Sequence, residues 1–319
     1  MPAPELPSSP LEVVALTARD ADAVLATLEA SVPRRPGFVE IPRTEGGSAV
    51  VFGDTHGDWR STVEAVRLFE AAGPSSVLVG LGDYVDRAPS DCPCGSVANA
   101  VYLLGLVARY PERVYLLQGN HETMRRVGAV PHTLPSEVER LWGPAVERYD
   151  RLMGLLERGP LVATAPCGAY LAHAGFPRGE LPPRWSDVLA EPDLERLVEI
   201  VWSECDASTT RRGAIAPWGP GDLDRFLRAS GLSTVWRGHD PDVVGRPLYR
   251  GRVMTLHTTR LYERYGGVVA AVLPLDRPLA NVGDAELRHL ATERGQARPG
   301  AADRDDQASE ERTQAARRE

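Results

Sequence analysis

A layered α/β domain is the fold this sequence predicts, and three observations predict it. Short β-rich runs recur along the chain, each ending in a polar segment that carries glycine or histidine. Helix-spaced apolar residues fill the gaps between the early runs. The composition, 43% hydrophobic and 25% charged over 319 residues, is that of an ordinary soluble domain with enough apolar material for a sizeable core. Where strands and helices alternate in this way, sites gather at the carboxyl ends of the strands.

In chain order, residues 1–15 read as a flexible, proline-rich lead-in. Thr17 is placed to cap a helix over about Ala18–Ala30, whose Ala21, Val24, Leu25 and Leu28 recur at helical spacing. Strand runs follow at Ala49–Phe52, Val77–Leu81 and Val114–Leu117, separated by helices over about Trp59–Ala72 and Ser96–Arg109. The strand pattern returns at Ala169–Ala172, Thr234–Trp236 and Arg252–Leu256. One domain over residues 16–280 contains all of these, and 281–319 is read as a tail. From residue 295 onward there is no Val, Ile, Leu, Met, Phe, Trp or Tyr, so that stretch is expected to be disordered.

Charge and residue usage exclude several classes. A net charge of −8 argues against a surface that coats nucleic acid. All 36 basic residues are arginine, which rules out a lysine Schiff base or a P-loop lysine. Four cysteines make no disulfide framework and point to a reducing compartment. No apolar run approaches the roughly 20 residues of a membrane helix, and no signal peptide is visible, so a cytoplasmic location without membrane partners is expected.

The segments at the strand ends carry the chemistry. They are Gly53-Asp54-Thr55-His56-Gly57, Gly82-Asp83-Tyr84-Val85-Asp86-Arg87, Gly119-Asn120-His121-Glu122, His173-Ala174-Gly175 and Arg237-Gly238-His239. Any one Gly-Asp pair after a strand is usually a turn, and a lone histidine is usually structural. Here, however, four of the seven histidines fall in these segments. Asp54 and His56, two apart on an extended strand end, leave from one side and offer a carboxylate oxygen and an imidazole nitrogen to one ion. Asp83 can bridge two ions through its two oxygens. Asn120, His173 and His239 complete the donor set of the second ion. A mixed nitrogen and oxygen set without thiolate suits Mn, Fe, Zn or similar divalent ions and does not by itself choose among them; two such ions are expected, Mn first and Fe or Zn as alternatives.

With these motifs in this order, the chain resembles the phosphoprotein phosphatase family of calcineurin-like dinuclear metallophosphoesterases, known for serine/threonine phosphatases. The resemblance covers roughly Leu16 to Leu273, with Trp202-Ser203 and Arg212-Gly213 inside it, and omits the C-terminal tail. It implies an α+β fold in which a central β-sandwich of mixed sheets is flanked by helices, as one catalytic domain. It implies a hydroxide activated by the two ions, His121 as general acid for the leaving alkoxide, and Asp86 holding the His121 imidazole in the right tautomer. Arg87 and Arg212 are the implied phosphate clamps, since guanidinium matches two non-bridging oxygens. Arg237 is assigned a supporting role.

Three departures stand out. Ala88 replaces the glycine that usually follows Asp-Arg, which strains the backbone only if the position needs positive φ. Relatives carry Ser-Ala-Pro-Asn-Tyr late in the domain, whereas this chain reads His257-Thr258-Thr259-Arg260-Leu261-Tyr262. His257 is an alternative ligand, although His239 already fills the motif position. Cys92-Pro93-Cys94 is read as a turn with two thiols, and Cys167 and Cys205 as small core residues.

The resemblance implies hydrolysis of phosphoserine or phosphothreonine in a phosphorylated protein substrate. One alternative is hydrolysis of small phosphoesters such as dinucleoside polyphosphates. Enzymes of that group usually carry alanine for the second motif aspartate and end the third motif in aspartate, but this chain keeps Asp86 and Glu122. An inactive phosphopeptide-binding module would need a broken ligand set, and none is broken. The oligomeric state is left open.

Overall fold

A computed structural model of the chain describes residues 5–144, 146–208 and 217–290. The expected clamp Arg212 and the tail from residue 291 lie outside the described residues.

The chain opens with α1 (Pro10–Val14), α2 (Ala18–Ser31) and β1 (Phe38–Glu40), then β2 (Ser48–Phe52), α3 (Trp59–Ala71), β3 (Val77–Gly80), α4 (Gly95–Arg109) and β4 (Val114–Leu116). Three helices follow: α5 (Met124–Val127), α6 (Leu134–Trp142) and α7 (Val146–Leu156). The second half contains β5 (Val162–Ala165), β6 (Ala169–Ala172), α8 (Leu194–Val201), α9 (Pro220–Ser230), β7 (Thr234–Arg237) and β8 (Val253–Thr255). It ends with α10 (Glu263–Gly266), β9 (Val269–Pro274) and β10 (Glu286–His289).

These strands form two five-stranded mixed sheets, ordered β1-β5-β6-β7-β8 and β10-β9-β2-β3-β4. In the second sheet β2, β3 and β4 run parallel, while β9 pairs antiparallel with β2. In the first, β6, β7 and β8 are parallel.

Alternation along each strand builds the layers. Ala49 and Val51 of β2 and Val79 of β3 share a buried cluster with Leu171 of β6, Trp236 of β7 and Met254 of β8, so the two sheets face each other. Val50, Phe52 and Leu78 point the other way, into a cluster with Val66 and Phe69 of α3 and Val97 and Val101 of α4. Tyr170 and Val235, on the outer face of the other sheet, pack with Ile200 of α8 and Phe226 of α9. The central strands are apolar on both faces because both faces are covered. The result is the four-layer sandwich that the resemblance implies, and each buried side chain of this size contributes about 1.5–3 kcal/mol.

Two boundary readings need correction. Residues 10–15 are not a flexible lead-in: Pro10 is at the start of α1, Ser9 caps it by accepting from Glu12 N, and Val13 is fully buried in the cluster that contains α4. Arg109 of α4 also donates to the Leu6 and Pro7 carbonyls. Past residue 280 the chain still folds, since Val282 is buried and β10 pairs with β9 along Glu286–His289. Elsewhere the structure extends or trims the expected elements by one or two residues. Thr17 caps α2 by accepting from Asp20 N at 3.2 Å.

Candidate metal centre

Five strand ends converge on one pocket. The segment after β2 brings Asp54 and His56, that after β3 brings Asp83, Asp86 and Arg87, and that after β4 brings Asn120 and His121. From the facing sheet come His173 after β6 and His239 after β7. The donor residues Asp54, His56, Asp83, Asn120, His173 and His239 are all buried.

Much of this backbone is in the left-handed region that residues with a Cβ avoid: His56, Asp83, Asp86, Arg87 and His239 have φ of 46°, 57°, 65°, 56° and 68°. Hydrogen bonds hold it there. Thr55 N and His56 N both donate to the Asp83 carbonyl, at 3.1 and 2.9 Å. Glu122 accepts from Asp83 N, Tyr84 N and Gly119 N at 2.7, 2.9 and 2.9 Å. His239 N donates to Asp54 Oδ1 at 3.0 Å, tying the two sheets together across the pocket floor. Gly119 admits no side chain, because a Cβ there would lie 2.3 Å from Asp83 Oδ1. Ala88 is not in the left-handed region; Asp86 and Arg87 take the turn before it, so the missing glycine costs nothing there.

The donors fit cations. His56 Nδ1 lies 3.1 Å from the Val85 carbonyl and His173 Nδ1 3.0 Å from the Leu81 carbonyl. Each Nδ1 therefore carries the proton, and each Nε2 turns a lone pair inward. His56 Nε2 lies 3.9 Å from Asp54 Oδ2 and 3.7 Å from Asp83 Oδ2, and His173 Nε2 lies 3.5 Å from Asp83 Oδ2. Asn120 Oδ1 and His239 Nδ1 approach His173 Nε2 to 2.9 and 3.2 Å. These donor atoms are gathered closely enough to share a cation, and without one the Asn120 amide satisfies the same neighbours by turning its nitrogen toward Asp83 and His173.

Two sets of donor atoms lie within 4.8 Å of one another, His56–Asp83–His121 and Asp83–His173–His239, and Asp83 belongs to both. Burial pushes the Asp54 carboxyl up to about 7. It acts the same way on Asp83, but attraction to the neighbouring imidazoles in their protonated form, His173 first and then His121, outweighs it and holds that carboxyl below its usual range. Burial drives His56 down to about 3, leaving the neutral imidazole that ligation requires.

His121 is fully buried, with Nδ1 2.5 Å from Asp86 Oδ2. Its Nε2 has no protein partner among the described residues. Burial opposes charging of this imidazole, but the Asp83 and Asp86 carboxylates outweigh it and raise its pKa. Asp86 itself is held well below the usual carboxylate range, the bonds from His121 and His132 prevailing over burial.

The pocket above these residues measures about 230 Å³, and Arg87, Val130, Trp202 and Tyr262 form its upper wall. Arg87 donates from Nη1 to the Tyr262 hydroxyl at 3.1 Å and from Nη2 to the Val130 carbonyl at 2.7 Å. Arg237 is buried away from the pocket and lies 3.6 Å from Asp240 Oδ2, beside the turn that carries His239.

His257 joins the site: its backbone bridges to Asp54, and its Nε2 lies 3.5 Å from Asp54 Oδ2. Sequence reasoning named it only as an alternative. It missed His132, which bonds to Asp86, and Arg260, which anchors the loop carrying Tyr262 by donating to Asp58 and Asp91. No local motif marks either residue. Cys92 is buried with Sγ 3.7 Å from Asp58 Oδ1, and burial pushes its thiol up to about 12. Cys94, Cys167 and Cys205 are buried free thiols as well.

Residues 48–242 match the family model of the calcineurin-like phosphoesterases. The chain is 28% identical over 242 residues to the PP2A-like serine/threonine-protein phosphatase PPG1 of Candida albicans, covering 70% of this chain and 55% of that protein. It is 24% identical over 269 residues to serine/threonine-protein phosphatase T of Saccharomyces cerevisiae, covering 78% and 50%. The chain thus spans about half the length of the curated relatives it matches. In fold it is similar to a solved Saccharomyces cerevisiae protein serine/threonine phosphatase described as similar to human phosphatase PP5. The TM-score is 0.67 at 21% identity, over 89% of this chain and 93% of that one. No helix among the described residues is long and apolar enough to cross a membrane.

Proposed function

This chain belongs to the calcineurin-like phosphoesterase family, and we propose that it hydrolyses phosphomonoesters, with phosphoserine or phosphothreonine in proteins as its substrate. The observation that carries the reading is the buried cage of Asp54, His56, Asp83, Asn120, His173 and His239 below a pocket that Arg87 borders. Two divalent ions held there, Mn by preference, would supply positive charge for the phosphoryl oxygens and a hydroxide from water at neutral pH.

The chain's own groups do the rest. Arg87 offers paired N–H donors to two non-bridging oxygens and fixes the phosphoryl group over the cage. Arg212 is proposed as the second clamp by resemblance alone. His121 gives its Nε2 proton to the leaving alkoxide as the bond from phosphorus to that oxygen breaks, which spares a serine or threonine oxygen from departing as an anion. Asp86 keeps the Nδ1 proton in place, so Nε2 is the end that donates. Glu122 fixes the strained backbone around Asp83 by accepting from Asp83 N, Tyr84 N and Gly119 N.

The test is phosphate release from a phosphothreonine peptide by metal-stripped protein resupplied with Mn²⁺, alongside Asp83→Asn. Release that requires the ion and falls by at least about a hundredfold in the variant is expected. Full activity in Asp83→Asn overturns the two-ion reading. A rate on diadenosine tetraphosphate about a hundredfold above the peptide rate, a transition-state difference of roughly 2.7 kcal/mol, moves the substrate to small phosphoesters.

A further inference from the structure

Asp86 carries more than one histidine. Its Oδ2 takes Nδ1 of His121 at 2.5 Å and Nδ1 of His132 at 3.1 Å, while its Oδ1 accepts from Thr133 N and Leu134 N at 2.6 and 2.8 Å. Three of these donors come from the consecutive residues His132, Thr133 and Leu134, which wrap the carboxylate where α6 begins. An ionised carboxylate has about four acceptor positions, and here all are engaged. The carboxylate plane is therefore fixed, and the plane of the His121 ring bonded to it is fixed too.

His132 is held in turn. Its Nε2 lies 3.0 Å from the Tyr149 hydroxyl on α7, with the two rings edge to face at 5.5 Å. With Nδ1 donating to a carboxylate, Nε2 accepts from the Tyr149 O–H, so one tautomer satisfies both contacts. A continuous chain runs from Tyr149 through His132 and Asp86 to His121.

We propose that His132 is a positioning residue for His121: it locks the Asp86 carboxylate in the orientation that presents His121 Nε2 to the leaving oxygen. The inference rests on the phosphomonoesterase reading above. His132 touches neither the cage nor the phosphoryl group, so its removal leaves ion binding and substrate affinity alone. The effect appears only where the leaving oxygen needs a proton. A phosphothreonine peptide expels a strongly basic alkoxide, whereas p-nitrophenyl phosphate expels a stable phenolate.

Removing the imidazole in His132→Leu is expected to lower kcat on the peptide about three- to tenfold with KM unchanged, and on p-nitrophenyl phosphate less than about twofold. His132→Asn, whose amide N–H takes the place of Nδ1, is expected to restore the peptide rate. Tyr149→Phe, which keeps the ring and the fold, is expected to show a smaller loss with the same leaving-group dependence. The downfield proton resonance of the His121–Asp86 hydrogen bond is expected to move in His132→Leu and return in His132→Asn.

Equal losses on the two substrates, or no loss while His121→Asn shows the leaving-group dependence, overturn the inference alone. An unmoved proton resonance overturns it as well. A His121→Asn variant that loses both substrates equally overturns the acid role itself, and the positioning role with it.

Discussion

The floor and the upper wall of the pocket are built by opposite means. Every floor donor is at most 6% exposed and sits at a strand end, and Asp54, His56, Asp83, His173 and His239 are braced through backbone groups, with three of them at positive φ. The upper wall is borne on loops: Val130 is 77% exposed, and Tyr262 follows Leu261, which is 36% exposed. Its order comes from long-range side-chain bonds, chiefly Arg87 to Tyr262 and Arg260 to Asp58. On the proposed function, the floor would serve chemistry that every phosphoester shares, which accords with its being over-determined. The wall meets whatever surrounds the phosphate, and loops can vary there without disturbing the sheets.

The largest effect is expected where the floor has no slack. Gly119→Ala drives a Cβ to 2.3 Å from Asp83 Oδ1 and 2.7 Å from Asp83 N. Neither contact can relax without moving the residue shared by both donor sets. Metal affinity is expected to fall about 10- to 100-fold, with activity falling at least as far, as read by metal content and phosphate release. A variant that keeps full metal content would break the contrast, because the floor would then be as adaptable as the wall.

This contrast also explains what was legible in the sequence. The Asp54, Asp83 and Asn120 segments are local: strand, turn and donor lie within a few residues, so spacing alone reveals them. His173 and His239 were readable only as histidines after strands, and His257 left two choices open. His132, Tyr262 and Arg260 act across 46, 175 and 202 residues, and no local pattern encodes such contacts. The fold divides in the same way. The apolar strands β2, β3 and β6 stand out, whereas β1 has three residues and the edge strand β10 is mostly exposed and polar. Helix α1 was hidden because Pro10 reads as a breaker in a proline-rich stretch, yet proline fits the first turn of a helix.

A middle-sized effect is expected on the wall. Arg260 binds Asp58 through Nε and Nη2 at 3.0 and 2.8 Å, and its backbone N donates to the same carboxylate at 2.8 Å. Asp58 in turn caps α3 by accepting from Ser61 N. Arg260→Gln is expected to loosen the loop that bears Tyr262 and so free Arg87. KM for a phosphopeptide rises on the order of tenfold while metal content stays at the wild-type level. Loss of metal in this variant would join floor and wall into one cooperative unit and erase the distinction.

The smallest effect sharpens the comparison by testing how shallow the outer anchor is. Arg260 also donates from Nη1 to Asp91 Oδ2 at 2.6 Å, but the Asp91 side chain is 38% exposed. An ion pair so close to water is worth at most about 1 kcal/mol, so Asp91→Asn should lower the melting temperature by no more than about 2–4 °C. The Arg260 bond holds the Asp91 carboxyl below its usual range, against the opposing effect of burial. A carboxylate depressed in the folded state stabilises fully above its ordinary pKa of about 3.9 and loses that contribution as pH falls through the lowered value. The gap between wild type and variant is therefore expected to stay constant from neutral pH down to about 5 and to close below about 4. Melts that differ equally at pH 7 and pH 3 would mean that Asp91 acts through shape rather than charge, and that the wall is packed as firmly as the floor.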